Sequence, residues 1–436
     1  MSGTSRRNFL QAAAASATLM AAPTFIPAKA LGRDGETAPS ERLTMCAIGT
    51  GGKGRHNMQQ FQGMKDVQMV AVCDVDKPHS QAAVDLVNQA YGNNDCKSYV
   101  DFRELLDKHD LNLACVSTPD HWHALPTIAA LNKKLDVYCE KPLTNSIGEG
   151  RAICDAAEKN QRIVQTGSHE RSNANGRFAA ELVRNGYIGR LHTMRINLPC
   201  SDGHHQQARS LKGIPEAQEI PEGFDYDMWL GHTAKAPYSK ERCHFWWRFV
   251  LAYGGGEMTD RGAHVIDLGQ MAAGMDDTGP VFIKAKGVQE ESLYDVFWDY
   301  EFENTYANGL KIIGSTAEPR GVKLEGTDGW VFIHVHGCRL EASDPKLLDV
   351  KLGEDHLRLG RTESHHRNFI DSVKARKQPF ASAEAGHRTA SVCHLNNIAM
   401  RLGRPLKWDP AGEKFIDDDE ANKLVTPEMR APWTLG

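Results

Sequence analysis

The stretch "LTMCAIGTGGKG", residues 43–54, leaves this chain few folds to choose from. A short apolar run ends in glycines at 49, 51 and 54, which is the G-x-G-x-x-G spacing. The first glycine permits a tight turn, and the second lets backbone N–H groups approach a pyrophosphate. The third allows a helix to pack close to the strand, with the positive end of its dipole at the turn. Three more apolar runs follow: "VQMVAVCD", ending at Asp74, then "LNLACVSTP" and "LDVYCEKP". Amphipathic, helix-like segments at 80–91 and 101–109 separate them, and "RIVQTG" closes the series near Gly167. Strands that are apolar on both faces and alternate with helices predict a doubly wound parallel sheet of the Rossmann type.

Beyond Ala174 the rhythm changes. "RLHTMRINL" alternates like a strand with one wet face, and similar runs recur at 281–288, 294–302, 310–315 and 330–336. They predict an α+β second domain with an open, mainly antiparallel sheet, followed by helices at 363–375 and 383–402 and an irregular tail from Lys407. At the other end, Arg6-Arg7 precedes an alanine-rich apolar stretch and then Ala28-Lys29-Ala30. This predicts an export signal of the twin-arginine type, cleaved after Ala30, and a periplasmic protein. The expected organisation is a signal over 1–30, a linker over 31–42, an NAD-binding Rossmann domain over 43–167 and a substrate-binding and dimerisation domain over 168–436.

The net charge of −5 gives no drive toward nucleic acid. The ten cysteines are scattered without C-x-x-C pairs and read as buried small hydrophobes. His204-His205, His334/His336 and His365-His366 have no carboxylate or cysteine at ligand spacing nearby, so no metal site is expected. Asp74 falls where a ribose-binding carboxylate belongs, and its charge would repel a 2′-phosphate. NAD is therefore expected rather than NADP, a preference tempered by the nearby Lys77.

The carboxyl ends of parallel strands line the ligand crevice, which puts "STPDHWHA" (117–124) and "CEKPL" (139–143) against a dinucleotide. With the glycine fingerprint, the T-P-x-x-x-H loop and Glu140-Lys141-Pro142, the chain resembles the glucose-fructose oxidoreductase and inositol dehydrogenase family, Gfo/Idh/MocA. That resemblance implies cofactor contacts from Gly49, Gly51, Gly52, Lys53, Gly54, Asp74, Thr118, Pro119, Asp120, His123, Glu140 and Lys141. It also implies a cis bond before Pro142 and an acid and a histidine in the second domain, for which "GGGEMTDRGAHVIDLG" offers Asp260 and His264.

The expected roles follow from chemistry. Imidazole suits proton removal near neutral pH, so His264 is the candidate base, with Asp260 orienting its ring. The Lys141 ammonium would donate to the reacting oxygen. His169, Arg171, Trp246, Arg248 and Tyr253, with His204 and His205, are candidate walls for a sugar or polyol. A twin-arginine route implies folding around a tightly held cofactor before export, so turnover needs a second substrate or a reaction that is redox-neutral overall; the resemblance implies a homo-oligomer. Three readings stand: an exported dehydrogenase acting on a secondary hydroxyl, an NAD-dependent glycosidase or lyase working by transient oxidation, and a non-catalytic sugar-binding module. In the related N-acetylgalactosaminidases an apolar residue replaces the lysine, so Lys141 favours the dehydrogenase.

Overall fold

The computed structural model describes residues 37–435. The expected export signal lies outside the described residues, as do positions 31–36 of the linker. The first sheet consists of β1 (Leu43–Ile48), β2 (Val67–Cys73), β3 (Lys97–Tyr99), β4 (Leu113–Val116), β5 (Asp136–Cys139) and β6 (Val164–Thr166). All are parallel, in the order β3-β2-β1-β4-β5-β6. Chain direction across the sheet reverses between β1 and β4, and the splayed connections leave a crevice at their carboxyl ends. β3 was not anticipated, because its three residues carry no apolar run.

Helices α1 (Gly52–Gln62), α2 (Lys77–Tyr91), α3 (Phe102–Lys108), α4 (Ala124–Asn132) and α5 (Ile147–Asn160) cover the sheet. Local chemistry starts and stops them. Asp76 accepts from the His79 N–H at the head of α2, Pro78 occupies its first turn, and Gly92 ends it at φ +67°. Ser146 caps α5 and shares a hydrogen bond with Glu149 three residues on, a capping box.

After α6 (Ala174–Arg184) comes β7 (Leu191–Asn197), the first strand of the second sheet. With β8 (Phe282–Val288), β9 (Trp298–Thr305), β10 (Lys311–Ser315), β11 (Gly321–Gly326), β12 (Trp330–His334), β13 (Leu340–Ala342), β14 (Leu406–Asp409) and β15 (Lys414–Phe415), that sheet runs in the order β13-β12-β11-β7-β10-β9-β8-β14-β15. β7 and β10 run parallel, and the other pairs are antiparallel. One face packs on α7 (Gly262–Ala273), which is buried along nearly its whole length, and the opposite face carries ion pairs such as Lys286–Glu301 and Lys311–Glu303.

The two sheets are built from residues before and after 168, but their cores are not so divided. Helix α8 (His365–Ala375) inserts Phe369, Ile370 and Val373 beside Met45, Met58, Phe61 and Tyr138 of the first domain. The last residues also return to it. The Trp433 ring meets Trp122 edge-on at 5.0 Å and stacks with Phe102 at 6.4 Å, with the Arg103 guanidinium 4.7 Å from its centre. Apolar spacing reveals that a helix has a face to bury, not which sheet buries it. Helix α9 (Ala383–Leu402) packs against both α5 and α7, which ties the halves together.

Candidate functional site

A cleft of about 400 Å³ opens at the carboxyl ends of the first-sheet strands. Gly49 adopts φ +83°, and a Cβ there would lie 2.6 Å from the Thr118 nitrogen, so the turn admits only glycine. A side chain at Gly54 would collide with the Gly49 carbonyl oxygen, which is the close packing of α1 on β1. At Gly51 and Gly52 a Cβ would meet nothing within 4 Å. The protein itself does not require those two glycines for packing; they leave an open cradle at the α1 N-terminus, where first-turn N–H groups lack intrahelical acceptors. A phosphate-bearing ligand fits that cradle.

Of the expected cofactor contacts, Gly49, Gly51, Gly52, Lys53 and Asp74 line the cleft on one side, and Thr118, Pro119, Asp120, His123, Glu140 and Lys141 on the other. Gly54 stands behind the loop. Asp74 is tied to that loop, since one carboxylate oxygen accepts from the Thr50 N–H (2.7 Å) and hydroxyl (3.0 Å) and the other from the Asp76 N–H (3.0 Å). The oxygen that accepts twice is thereby saturated, and the other keeps one lone pair for a ribose hydroxyl. Lys77, by contrast, packs on Gly223 and is absent from the cleft wall. Glu140 is buried: it accepts from Asn57 (2.9 Å) and from its neighbour's N–H, and Lys53 lies 3.5 Å away. Burial pushes its carboxyl up, but Lys53, Asn57 and Lys141 together hold it below its ordinary value.

The bond between Lys141 and Pro142 is cis. The Lys141 ammonium crosses to the second domain and donates to Asp260 Oδ1 at 2.5 Å and to the Asp260 carbonyl at 2.7 Å. One of its three protons remains for another acceptor. The second oxygen of Asp260 faces Arg261 at 2.5 Å and Arg248 at 3.4 Å. Burial opposes ionisation of Asp260, yet Lys141, Arg261 and Arg248 outweigh it and keep the carboxylate charged far below its ordinary range.

His264 is buried beside this group, and no hydrogen bond joins it to Asp260. The expected orienting bond is not made, because the carboxylate is taken up by three cations. The His264 Nδ1 has no partner, and its ring meets His169 at 4.8 Å and His336 at 6.0 Å. Burial first, and then the Lys141 ammonium, hold its imidazole well below the ordinary value, so the ring is neutral.

The expected substrate walls divide. His169 lies against His264, and Arg248 lines the dinucleotide cleft. Arg171 is not available to a ligand: fully buried, it binds Asp267 at 2.7 Å and Asp276 at 2.6 and 2.8 Å. Tyr253 is also buried, its ring packed on His121 and Trp229. Trp246 stacks on Tyr294 rather than facing the cleft, and His205 is bonded to buried Glu257. In this run the neighbours Phe245 and Trp247 line the cleft, joined by Phe224, Trp229 and His244. The aromatic run thus serves the cleft through neighbours of the expected Trp246, not through Trp246 itself. Nothing local marks these residues as a cover over the first domain.

Comparison with known proteins agrees with this architecture. Residues 43–168 match the profile of the oxidoreductase family with an NAD-binding Rossmann fold, and residues 177–435 match that family's C-terminal alpha/beta domain. Among curated relatives, glycosyl hydrolase family 109 protein 1 of Shewanella sp. (strain MR-4) is 29% identical over 205 residues, 43% of this chain and 44% of that protein. Inositol 2-dehydrogenase of Salmonella paratyphi B is 29% identical over 187 residues, 42% of this chain and 52% of that protein. The chain thus spans about half the length of the curated relatives it matches. Aldose-aldose oxidoreductase from Caulobacter crescentus superposes with a TM-score of 0.59 at 18% identity, over 84% of this chain and 99% of that one. Myo-inositol 2-dehydrogenase from Lactobacillus plantarum gives 0.57 at 20% identity, with the same coverage.

Proposed function

Because the chain belongs to the Gfo/Idh/MocA oxidoreductase family, we propose that it is an exported dehydrogenase that holds NAD tightly and oxidises a secondary hydroxyl of a sugar or polyol. One observation carries this reading: the Lys141–Asp260 ion pair spans the two domains at the end of a glycine-loop cleft, beside a buried neutral imidazole. The names of the relatives, an inositol dehydrogenase and an aldose oxidoreductase, support the substrate class.

The cradle at Gly51 and Gly52 and the carboxylate of Asp74 would hold the dinucleotide, which supplies a hydride acceptor when bound. Asp74 and the absence of Lys77 from the cleft wall favour NAD over NADP. His264 in its neutral form accepts the hydroxyl proton. The free proton of the Lys141 ammonium is directed at the same oxygen and stabilises negative charge developing there. Asp260 keeps that ammonium aimed. Phe224, His244, Phe245 and Trp247 cover the cleft from the second domain and limit escape of a bound cofactor. That cover suits a protein folded around its cofactor before export through the twin-arginine route. A retained cofactor must be reoxidised in place, so turnover needs a second, ketone-bearing substrate.

The test is to denature the purified protein, identify the released nucleotide, and then watch bound-nicotinamide absorbance as native protein is mixed with sugars and polyols. Reduction by members of the panel is expected. Protein that neither contains nor takes up a dinucleotide would leave only a binding module. The glycosyl hydrolase names among the relatives favour a second reading, transient oxidation followed by elimination. Release of phenol from aryl glycosides without accumulation of reduced cofactor would establish it over the first.

A further inference from the structure

A second pocket, of about 520 Å³, lies next to the dinucleotide cleft and shares Lys53 with it. On its wall meet His169 and Glu170, just after β6, and His336, in the turn that follows β12 (Trp330–His334). Glu170 Oε1 stands 3.6 Å from His169 Nε2 and 3.7 Å from His336 Nδ1, and one ligand atom from each residue falls within 4.8 Å of the others. Those separations are long for hydrogen bonds. They are near the edge of about 3.3 Å that a tetrahedron has when its centre is an ion bound at about 2.0–2.1 Å.

Charge points the same way. Glu170 is only 1% exposed, and among the described residues no lysine or arginine pairs with it. Its carboxylate accepts from the His336 N–H at 2.7 Å and, on the other oxygen, from the Cys338 thiol at 3.1 Å. A buried carboxylate without a full positive partner is costly, and a divalent ion removes that cost. The backbone and thiol contacts are of the kind that orient a ligating carboxylate.

We propose that His169, Glu170 and His336 bind one divalent transition-metal ion such as Zn²⁺, with its remaining coordination open to the pocket for a substrate oxygen. Two imidazoles and one carboxylate form a donor set of the open, catalytic kind rather than the closed structural kind. Both imidazoles belong to side chains that are substantially exposed, 42% and 52%, so the fourth position faces the pocket. Both rings also touch the ring of His264, which brings the ion within one side chain of the candidate base.

The other histidines of the pocket are engaged elsewhere or stand apart. His365 bonds Ser172 and the Thr166 carbonyl, and His366 bonds Asn57. Two further groups with ligand spacing are weaker. Asp202 with His204 and His205 already faces Arg320 at 2.8 Å, a cation that repels an ion. Asp76 with His79 and His244 lies on the wall of the dinucleotide cleft, where a bound cofactor would compete for the space.

The experiment measures metal rather than turnover, so it stands or falls independently of the dehydrogenase reading. Full-length protein carrying no histidine tag is purified, its metal content is determined by mass spectrometry, and the stripped protein is titrated with Zn²⁺ in a calorimeter. Wild type and His56→Ala, which removes an exposed pocket histidine outside the set, are expected to bind one ion per chain. The double variant His169→Ala/His336→Ala is expected to lose it. The single His336→Ala variant, which shortens a half-exposed side chain, should bind at least as much more weakly as the roughly 10–100-fold that loss of a supporting partner costs. Equal Zn²⁺ binding by wild type and His336→Ala overturns the proposal, as does loss of the ion in His56→Ala.

Discussion

Two buried carboxyl groups of the cleft feel the charge of Lys141, and their surroundings treat them in opposite ways. Asp260, on the second-domain wall, has Lys141, Arg261 and Arg248 around it and stays ionised despite its burial. Asp120, on the first-domain wall, is buried, and its carboxyl has no hydrogen-bond partner among the described residues. Burial pushes it well above the carboxylate range. Lys141 pulls it down, but the charges of Asp260 and Glu140 oppose that pull. The same residue type is therefore held as an anion on one wall and pushed toward its neutral form on the other. Once one carboxylate has claimed the lysine, the second gains less by ionising than desolvation costs it.

That contrast can be broken in order of expected effect. Lys141→Ala removes the shared cation and should lower turnover by about 10²–10⁴-fold while leaving dinucleotide content unchanged; the ratio of turnover to retained cofactor is the measurement. Equal losses of both would make the lysine a clamp on the cofactor. Asp260→Asn should cost about 10²-fold in turnover, because the ammonium loses its counter-charge. Asp120→Asn removes a carboxyl that burial already pushes toward its neutral form and should stay within about threefold of wild type. Comparable losses in the two asparagine variants would erase the distinction between the walls.

A pH profile sharpens the same comparison. His264 is held below the ordinary imidazole value by burial and then by Lys141, so it remains a competent base as pH falls through 6.5. The acid limb of kcat/KM assigned to it should lie below that pH. In Lys141→Ala the repulsion is gone, and the limb should shift to higher pH; an unchanged limb would show that the lysine does not act on the imidazole.

The smallest effect concerns the scaffold. Burial lowers His121 and His365 to about 3 and His232, His366 and His394 to about 4, against 6.5 when unfolded. Between those values the unfolded chain binds more protons than the folded one. Stability from these groups is thus complete above pH 6.5 and is lost progressively as pH falls toward 4 and 3. Urea denaturation midpoints at pH 7.5, 5.5 and 4.5 should decline in that order, and a flat series would contradict the buried neutral histidines.

Some of the molecule could be read directly and some could not, and the difference has a cause. Runs such as "CAIGTGGKG" and "VQMVAVCD" state their own structure, because strand, turn and helix N-terminus are decided by neighbouring residues. Helix α9 is legible for the same reason, its limits marked by Ser382 and Gly403. β3 and β11 (Gly321–Gly326) carry too little apolar alternation to announce themselves, and they are strands because a neighbouring strand offers its edge. Arg171 looked like a hand for substrate, yet Asp267 and Asp276, about a hundred residues away, had already taken it.

By itself, then, the sequence determined the doubly wound sheet, the glycine cradle and the identity of the groups able to move a proton, since each depends on chemistry within a few residues. Only the tertiary structure decided which of them meet. It set Lys141 against Asp260, left Asp260 unbonded to His264, and drew His169, Glu170 and His336 together from positions more than 160 residues apart. Ion pairs and ligand sets are governed by distance and dielectric through space, and the order of residues along a chain specifies neither until the sheets have packed.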